Sequence, residues 1–174
     1  MMKYLVFVML ILTGCIHSHV PNYLLRISDS TKDTYGYKNL KGDTVIKLGK
    51  YGMCWTDTFK TYAIVLKEHR GLIAIDRAEK ELFEVYNFDN GPDYPSEGLF
   101  RIVQNGKFGY ADTKGNIIVE PQYGCALPFE KGVAKVAMNC VEKKADEEHS
   151  YWESDKWFYI SKTGSKIDRK TNGQ

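Results

Sequence analysis

Residues 99–129 read LFRIVQNGKFGYADTKGNIIVEPQYGCALPF, and the punctuation of that stretch decides the fold. The apolar run LFRIV (99–103) meets Asn105-Gly106, the dipeptide that supplies two positive-φ residues to a tight hairpin. A second strand follows over 108–112. Asp112 opens a type I turn by bonding its side chain to the backbone ahead, and Gly115, three residues on, takes the left-handed place of the bulge that closes it. The third strand then runs over 116–120 and ends at Pro121, which lacks the donor a ladder needs. Residues 122–129 form a connector carrying Tyr123 and Phe129. The unit is a three-stranded antiparallel meander plus a link.

The same grammar recurs along the chain. The first strand returns as LLRI (24–27), YAIV (62–65) and VAKV (133–136), with starts 38, 37 and 34 residues apart. The second returns as YGY (35–37), LIAID (72–76) and WFYI (157–160), which puts Gly36 in the place of Gly109 and aligns Tyr37, Tyr110 and Tyr159. The turn returns as Asn39 with Gly42 and as Ser161 with Gly164. In the remaining copy Asp76 is followed by Glu79 where glycine belongs, so a different turn geometry is expected there, because a side chain is strained at positive φ. The period predicts an all-β chain of four copies, at about 23–60, 61–97, 98–131 and 132–170. Tandem three-stranded meanders of this kind stack into a curved solenoid-like or open propeller-like array. The alternative is a single sandwich with a partly fortuitous period.

GLFRIVQNGKFGYADTKGNIIVEPQY resembles the unit of the WG (KWG) repeat proteins, xGLAxVxxxGKWGYIDxxGxxVIxPxY followed by a late phenylalanine and a new glycine. Phe108 stands in the tryptophan place and Ala111 in the isoleucine place. The other copies are weaker: Trp157 keeps the tryptophan but is followed by Phe158, and Leu72-Ile73 keeps neither residue. The resemblance covers roughly residues 23–168. It implies a repetitive β architecture, often secreted or surface-attached in bacteria, with no activity common to the family.

Upstream of the repeats, Lys3 precedes the apolar run YLVFVMLIL (4–12) and then Leu12-Thr13-Gly14-Cys15. Nine apolar residues are too few for a bilayer span of ~20, and suit a signal-peptide core. The ending resembles the bacterial lipobox, which implies removal of residues 1–14, acylation of Cys15 and a tether over 15–22. His17 and His19 lie in that tether with no further ligand nearby, so they read as solvated rather than metal-binding. The chain is then expected to be lipid-anchored in the bacterial cell envelope, at the outer membrane.

Removing the leader lowers the formal charge from +2 to +1. Near-neutral charge without a basic stripe argues against a nucleic-acid partner. The aromatic content is 13%, with 12 tyrosines. Tyr37, Tyr110 and Tyr159, and likewise Tyr51, Tyr86 and Tyr123 near the third-strand ends, repeat as stacked units require, so packing is favoured over a ligand platform.

Three cysteines remain in the mature chain, Cys54, Cys125 and Cys140. An exported chain permits one disulfide and one leftover thiol, with the pairing open. His69 and His149 are the histidines outside the tether, and no spacing puts either beside a thiol. Asp89, Asp93 and Glu97 in NFDNGPDYPSEG superficially suggest a calcium loop but miss its alternate-residue ligand spacing. No phosphate-binding loop, nucleophile elbow, HExxH or paired CxxC occurs. The expectation is no catalytic residue, no metal and no cofactor.

Gly115 and Gly164 lie 49 residues apart, against 37 for Gly42 to Glu79 and 36 for Glu79 to Gly115. The last copy is thus about 13 residues longer than an ordinary one, the excess lying within 138–156. The insert is polar and charged, and carries Trp152. It is expected to leave the array as a surface excursion, with removal changing stability by no more than about 1 kcal/mol. The function expected is a non-catalytic binding or scaffold module with a protein or glycan ligand. The rivals are an envelope hydrolase with a carboxylate site between copies, and a purely structural spacer.

Overall fold

The first copy contributes β1 (Leu24–Asp29), β2 (Thr34–Lys38), β3 (Thr44–Tyr51), β4 (Met53–Cys54) and β5 (Thr58–Phe59). The second contributes β6 (Tyr62–Lys67), β7 (Gly71–Asp76), β8 (Glu81–Val85), β9 (Asn87–Phe88) and β10 (Gly91–Pro92), and the third β11 (Leu99–Gln104), β12 (Lys107–Asp112), β13 (Ile117–Tyr123) and β14 (Cys125–Ala126). The fourth holds β15 (Val133–Ala137), β16 (Val141–Lys144), β17 (Ser150–Glu153), β18 (Phe158–Ser161) and β19 (Lys166–Ile167). This computed structural model describes residues 22–146 and 149–168. The leader, Cys15, His17, His19 and the C-terminal tail lie outside the described residues. Within them the chain is all-β, a tandem series of antiparallel meanders, as the period predicts.

Hydrogen bonding does not stop at copy boundaries. One sheet of seven strands runs β13-β12-β11-β8-β7-β6-β4, so the second and third copies are continuous and the end of the first joins them. The crossings from the first to the second copy and from the third to the fourth are alike. Gly52 N donates to Leu66 O and Gly124 N to Ala137 O, both at 2.9 Å. Each glycine thus lets the chain leave one meander and pair with the first strand of the next through β4 or β14.

All four turns between second and third strands share one hydrogen-bond pattern. The residue at the third following position donates its N–H to the opening residue's carbonyl: Gly42 to Asn39, Glu79 to Asp76, Gly115 to Asp112 and Gly164 to Ser161. The expectation that the Asp76–Glu79 turn differs is therefore corrected. Glu79 itself takes the left-handed conformation, φ 60°. Its carboxylate accepts from Lys50 Nζ at 2.7 Å and from Tyr51 OH at 2.9 Å. A side chain replaces glycine because its bonds to the first copy offset a left-handed cost of about 1–2 kcal/mol.

The turns of the second, third and fourth copies also dock at or just before the start of the preceding copy. Arg77 donates to Asn22 O at 2.6 Å, Thr61 Oγ1 to Lys114 O at 2.9 Å, and Lys162 Nζ to Glu97 O at 2.9 Å. Neighbouring units are stapled by the same turn in three copies, the nearest-neighbour logic of a repeat array.

A second departure concerns Pro121. It does not end the third strand; β13 runs through it to Tyr123. Phe108 pairs with Tyr123 and Tyr110 with Val119, so two steps on β12 face four on β13. Pro121 sits in that bulge, where no ladder donor is required.

The bulge also explains the glycine before the tyrosine. A Cβ on Gly109 would stand 2.4 Å from Val119 O, and one on Gly36 would stand 2.5 Å from Ile46 O. In the second copy Ile73 and Ala74 pair with Glu84 and Phe83 with no slip between them, and the position carries a full side chain.

Burial follows from this weave. β7 is buried over four successive residues. Ile73 and Ile75 join a cluster with Tyr37, Phe59 and Cys54, while Leu72 and Ala74 join another with Phe83, Phe100 and Ile102. A strand covered on both faces reads as a continuous apolar run instead of an alternation, which is what LIAI shows.

Candidate functional site

The tyrosines at the equivalent second-strand place are structural in the first and third copies. Tyr37 and Tyr110 are fully buried. Tyr37 OH donates to Thr56 O at 2.8 Å and its ring meets Phe59 edge-on at 5.2 Å. Tyr110 OH donates to Leu127 O at 2.6 Å and its ring meets Phe129 at 4.7 Å. The ring fills the copy's core while the hydroxyl ties the connector down. Gly42, Gly115 and Gly164 hold positive φ in the turns, and Gly36 and Gly109 face the bulges.

The aromatic residues of the fourth copy lie in a different setting. The insert forms the hairpin β16–β17, with Glu142 opposite Trp152 and Lys143 opposite Tyr151. Trp152 packs edge-on to Phe108 at 4.9 Å and lies 5.8 Å from Tyr86. A disulfide joins Cys140, at the hairpin's base, to Cys125 on β14. Ser154 Oγ adds a bond to Asn139 O at 2.7 Å. The insert is a surface hairpin, as expected, but a charged sequence can still dock through one tryptophan and one covalent link. Replacing both Cys125 and Cys140 with serine is expected to lower stability by about 3 kcal/mol, the loop-closure value for a link of this span. Urea unfolding of oxidised parent and double variant measures it, with reduced parent matching the variant.

Between this hairpin and the third copy lies a groove of about 340 Å³, walled by Tyr86, Phe88, Tyr151, Trp152 and Trp157, with Arg101, Lys135, Glu142, Ser150 and Leu127. Leu127 and Lys135 also wall a second compartment of about 490 Å³, with Phe129 and Tyr159. The two hollows thus share Leu127 and Lys135 in their walls. Phe88 and Tyr151 remain 48% and 53% exposed, so their rings are open to a ligand.

The floor is held by a buried ion pair. Arg101 Nε and its backbone N–H donate to Asp93 Oδ2 at 2.9 and 2.8 Å, Nη2 bonds Asp93 Oδ1, and Nη1 reaches Ala126 O at 3.3 Å. Both side chains are under 5% exposed. The guanidinium lies 4.6 Å from the Tyr86 ring centre and 5.2 Å from that of Phe88. Asp93 therefore orients Arg101, and Arg101 supports the two rings that form one wall. The first copy has an open counterpart: Arg26 donates to Cys54 O at 2.8 Å and pairs with the exposed Asp57.

The carboxylates of NFDNGPDYPSEG are not gathered around a common point. Asp89 takes a left-handed turn position between β9 and β10. Asp93 faces Arg101, and Glu97 accepts from Lys162 Nζ and the Gly132 N–H. The Lys162 bond, partly offset by desolvation and helped by the Gly132 N–H, holds the Glu97 carboxyl below its ordinary range. Among the described residues no three His, Cys, Asp or Glu side chains are placed to hold a metal. Cys54 is a free, buried thiol whose pKa burial pushes up to about 11. His69 and His149 project to solvent, each beside an acidic neighbour.

Sequence reading singled out Trp157 and Tyr159 as repeat positions and missed Phe88, Arg101, Lys135, Glu142 and Tyr151 as groove residues. One signal was present. A cation stands third in the first strand of three copies, at Arg26, Arg101 and Lys135, within otherwise apolar runs. A cation placed in a buried strand demands a partner.

Residues 108–139 match the family model of the WG containing repeat. The match begins at Phe108, in the second strand of the clearest copy, and passes into the first strand of the fourth. Comparison with curated proteins and with solved structures gives no match.

Proposed function

We propose that this chain, a WG repeat protein, acts as a non-catalytic binding module anchored by lipid at Cys15 to the bacterial cell envelope, and that its groove at the third and fourth copies is the binding site. The observation that carries the reading is the groove itself. Open aromatic faces stand over an internally neutralised ion pair, in a concave place built in part by the insertion in the fourth copy. Rings with exposed faces and a few fixed polar groups are the ordinary make-up of a recognition pocket.

The absence of a role in catalysis is supported by where the reactive side chains stand. Asp93 and Glu97 are committed to cations, the Cys54 thiol is buried with its pKa pushed up, and His69 and His149 are exposed, each beside an acidic side chain. The anchor is supported by the Leu12-Thr13-Gly14-Cys15 pattern behind a short apolar run.

Detergent-phase partitioning tests the anchor. Parent protein is expected in the detergent phase and Cys15→Ser in the aqueous phase; a variant that partitions like the parent contradicts acylation at Cys15. Co-purification from native membrane tests the site. A component recovered with the parent and lost with Trp157→Ala supports the groove, and identical recovery with both proteins removes it.

A further inference from the structure

Resting on the reading of the groove as a binding site, we infer that its ligand is a chain of sugars carrying carboxylate groups, with Lys135 as the residue that reads the charge. Five aromatic side chains wall the first compartment, and flat ring faces match the C–H faces of pyranose rings. Glu142 accepts a bond from Ser150 Oγ across the hairpin. It still has acceptor capacity facing the groove, which suits sugar hydroxyls.

The charge argument rests on Lys135. Lys50, Lys67, Lys143 and Lys162 each pair with a carboxylate. Lys135 is only half-exposed, yet among the described residues it has no carboxylate within 4.0 Å, and its Nζ rests 4.9 Å from the Trp157 ring centre. It lines both compartments, on β15 opposite Tyr159. A groove-lining cation stacked on one ring, with no carboxylate within 4.0 Å among the described residues, would be completed by an anion on the ligand. The compartments on either side of it suit successive units of an extended molecule.

Calorimetric titration of the full chain in detergent decides the matter, using oligogalacturonate, neutral oligogalactose of equal length, and oligoglutamate of equal charge. Oligogalacturonate is expected to bind about tenfold more tightly than oligogalactose. Lys135→Met should abolish that ratio, and Trp157→Ala should weaken both sugars about tenfold, with thermal midpoints confirming that both variants fold. Equal binding of charged and neutral sugar overturns the role of Lys135. Oligoglutamate binding as tightly as oligogalacturonate overturns the sugar assignment in favour of an acidic peptide. If none of the three probes binds while Trp157→Ala still loses a co-purified membrane component, the sugar inference falls and the groove stands; if that component is also retained, both fall.

Discussion

Asp93→Ala is expected to lower the unfolding free energy by about 3–5 kcal/mol, the range for removing one partner of a buried ion pair. The loss does not measure how much the pair contributes. It arises because Arg101, 4% exposed, keeps its charge and loses the carboxylate that received its Nε, Nη2 and backbone N–H. Two controls separate that cause from lost packing. Asp57→Ala removes the partner of Arg26 in the first copy, where the aspartate side chain is 79% exposed, and should cost less than about 1 kcal/mol. Asp93→Ala combined with Arg101→Met should regain a large part of the single variant's loss, since no orphan charge remains. Urea midpoints at constant m-value give all three numbers. A small loss for Asp93→Ala, or no recovery in the double variant, would show that Arg101 finds water or another acceptor and that the pair does not hold the groove floor.

Gly109→Ala is expected to cost about 3 kcal/mol or more, beyond the usual effect of one added methyl group, because what it meets is backbone. Its Cβ would lie 2.4 Å from Val119 O and 2.7 Å from Pro121 N. Relief requires flattening the bulge that sets the register of β12 on β13 and carries Tyr123 into the core. Gly106→Ala is the proper comparison. That residue lies at φ 70° in the adjacent hairpin with nothing within 4 Å, so only the left-handed cost applies, about 1–2 kcal/mol. The ordering Gly109 above Gly106 distinguishes close approach from backbone conformation as the reason for glycine in this place. Equal losses would remove the bulge explanation.

That distinction bears on how the imperfect copies are read. Ile73 and Phe158 stand where Gly36 and Gly109 stand elsewhere, and as sequence they look like decay of the motif. The second copy has the five-residue third strand β8, and β19 of the fourth spans only two. Neither shows the wide slip found against β3 and β13, so the space that excludes a side chain is not closed.

The sequence by itself determined the repeating element. Asn105-Gly106, the Asx-type turns opened by Asn39, Asp76 and Asp112, the matching turn at Ser161, and the spacing of short apolar runs are local chemistry, satisfied within a few residues of chain, and local chemistry is readable from order alone. It could not determine how Glu79 survives at positive φ, because Lys50 and Tyr51 come from the preceding copy. Pro121 was misplaced for the same reason: whether a proline ends a strand or sits in a bulge depends on the partner's register. The groove, Trp157 apart, was decided by tertiary structure. Its rings come from the second copy's connector, the fourth copy's insert and the repeat position Trp157, its floor from a strand of the third, and a disulfide between Cys125 and Cys140 ties the insert to the third copy. Repetition fixes the contacts each unit makes with the next, whereas a site assembled from three units and one insertion has no period to announce it.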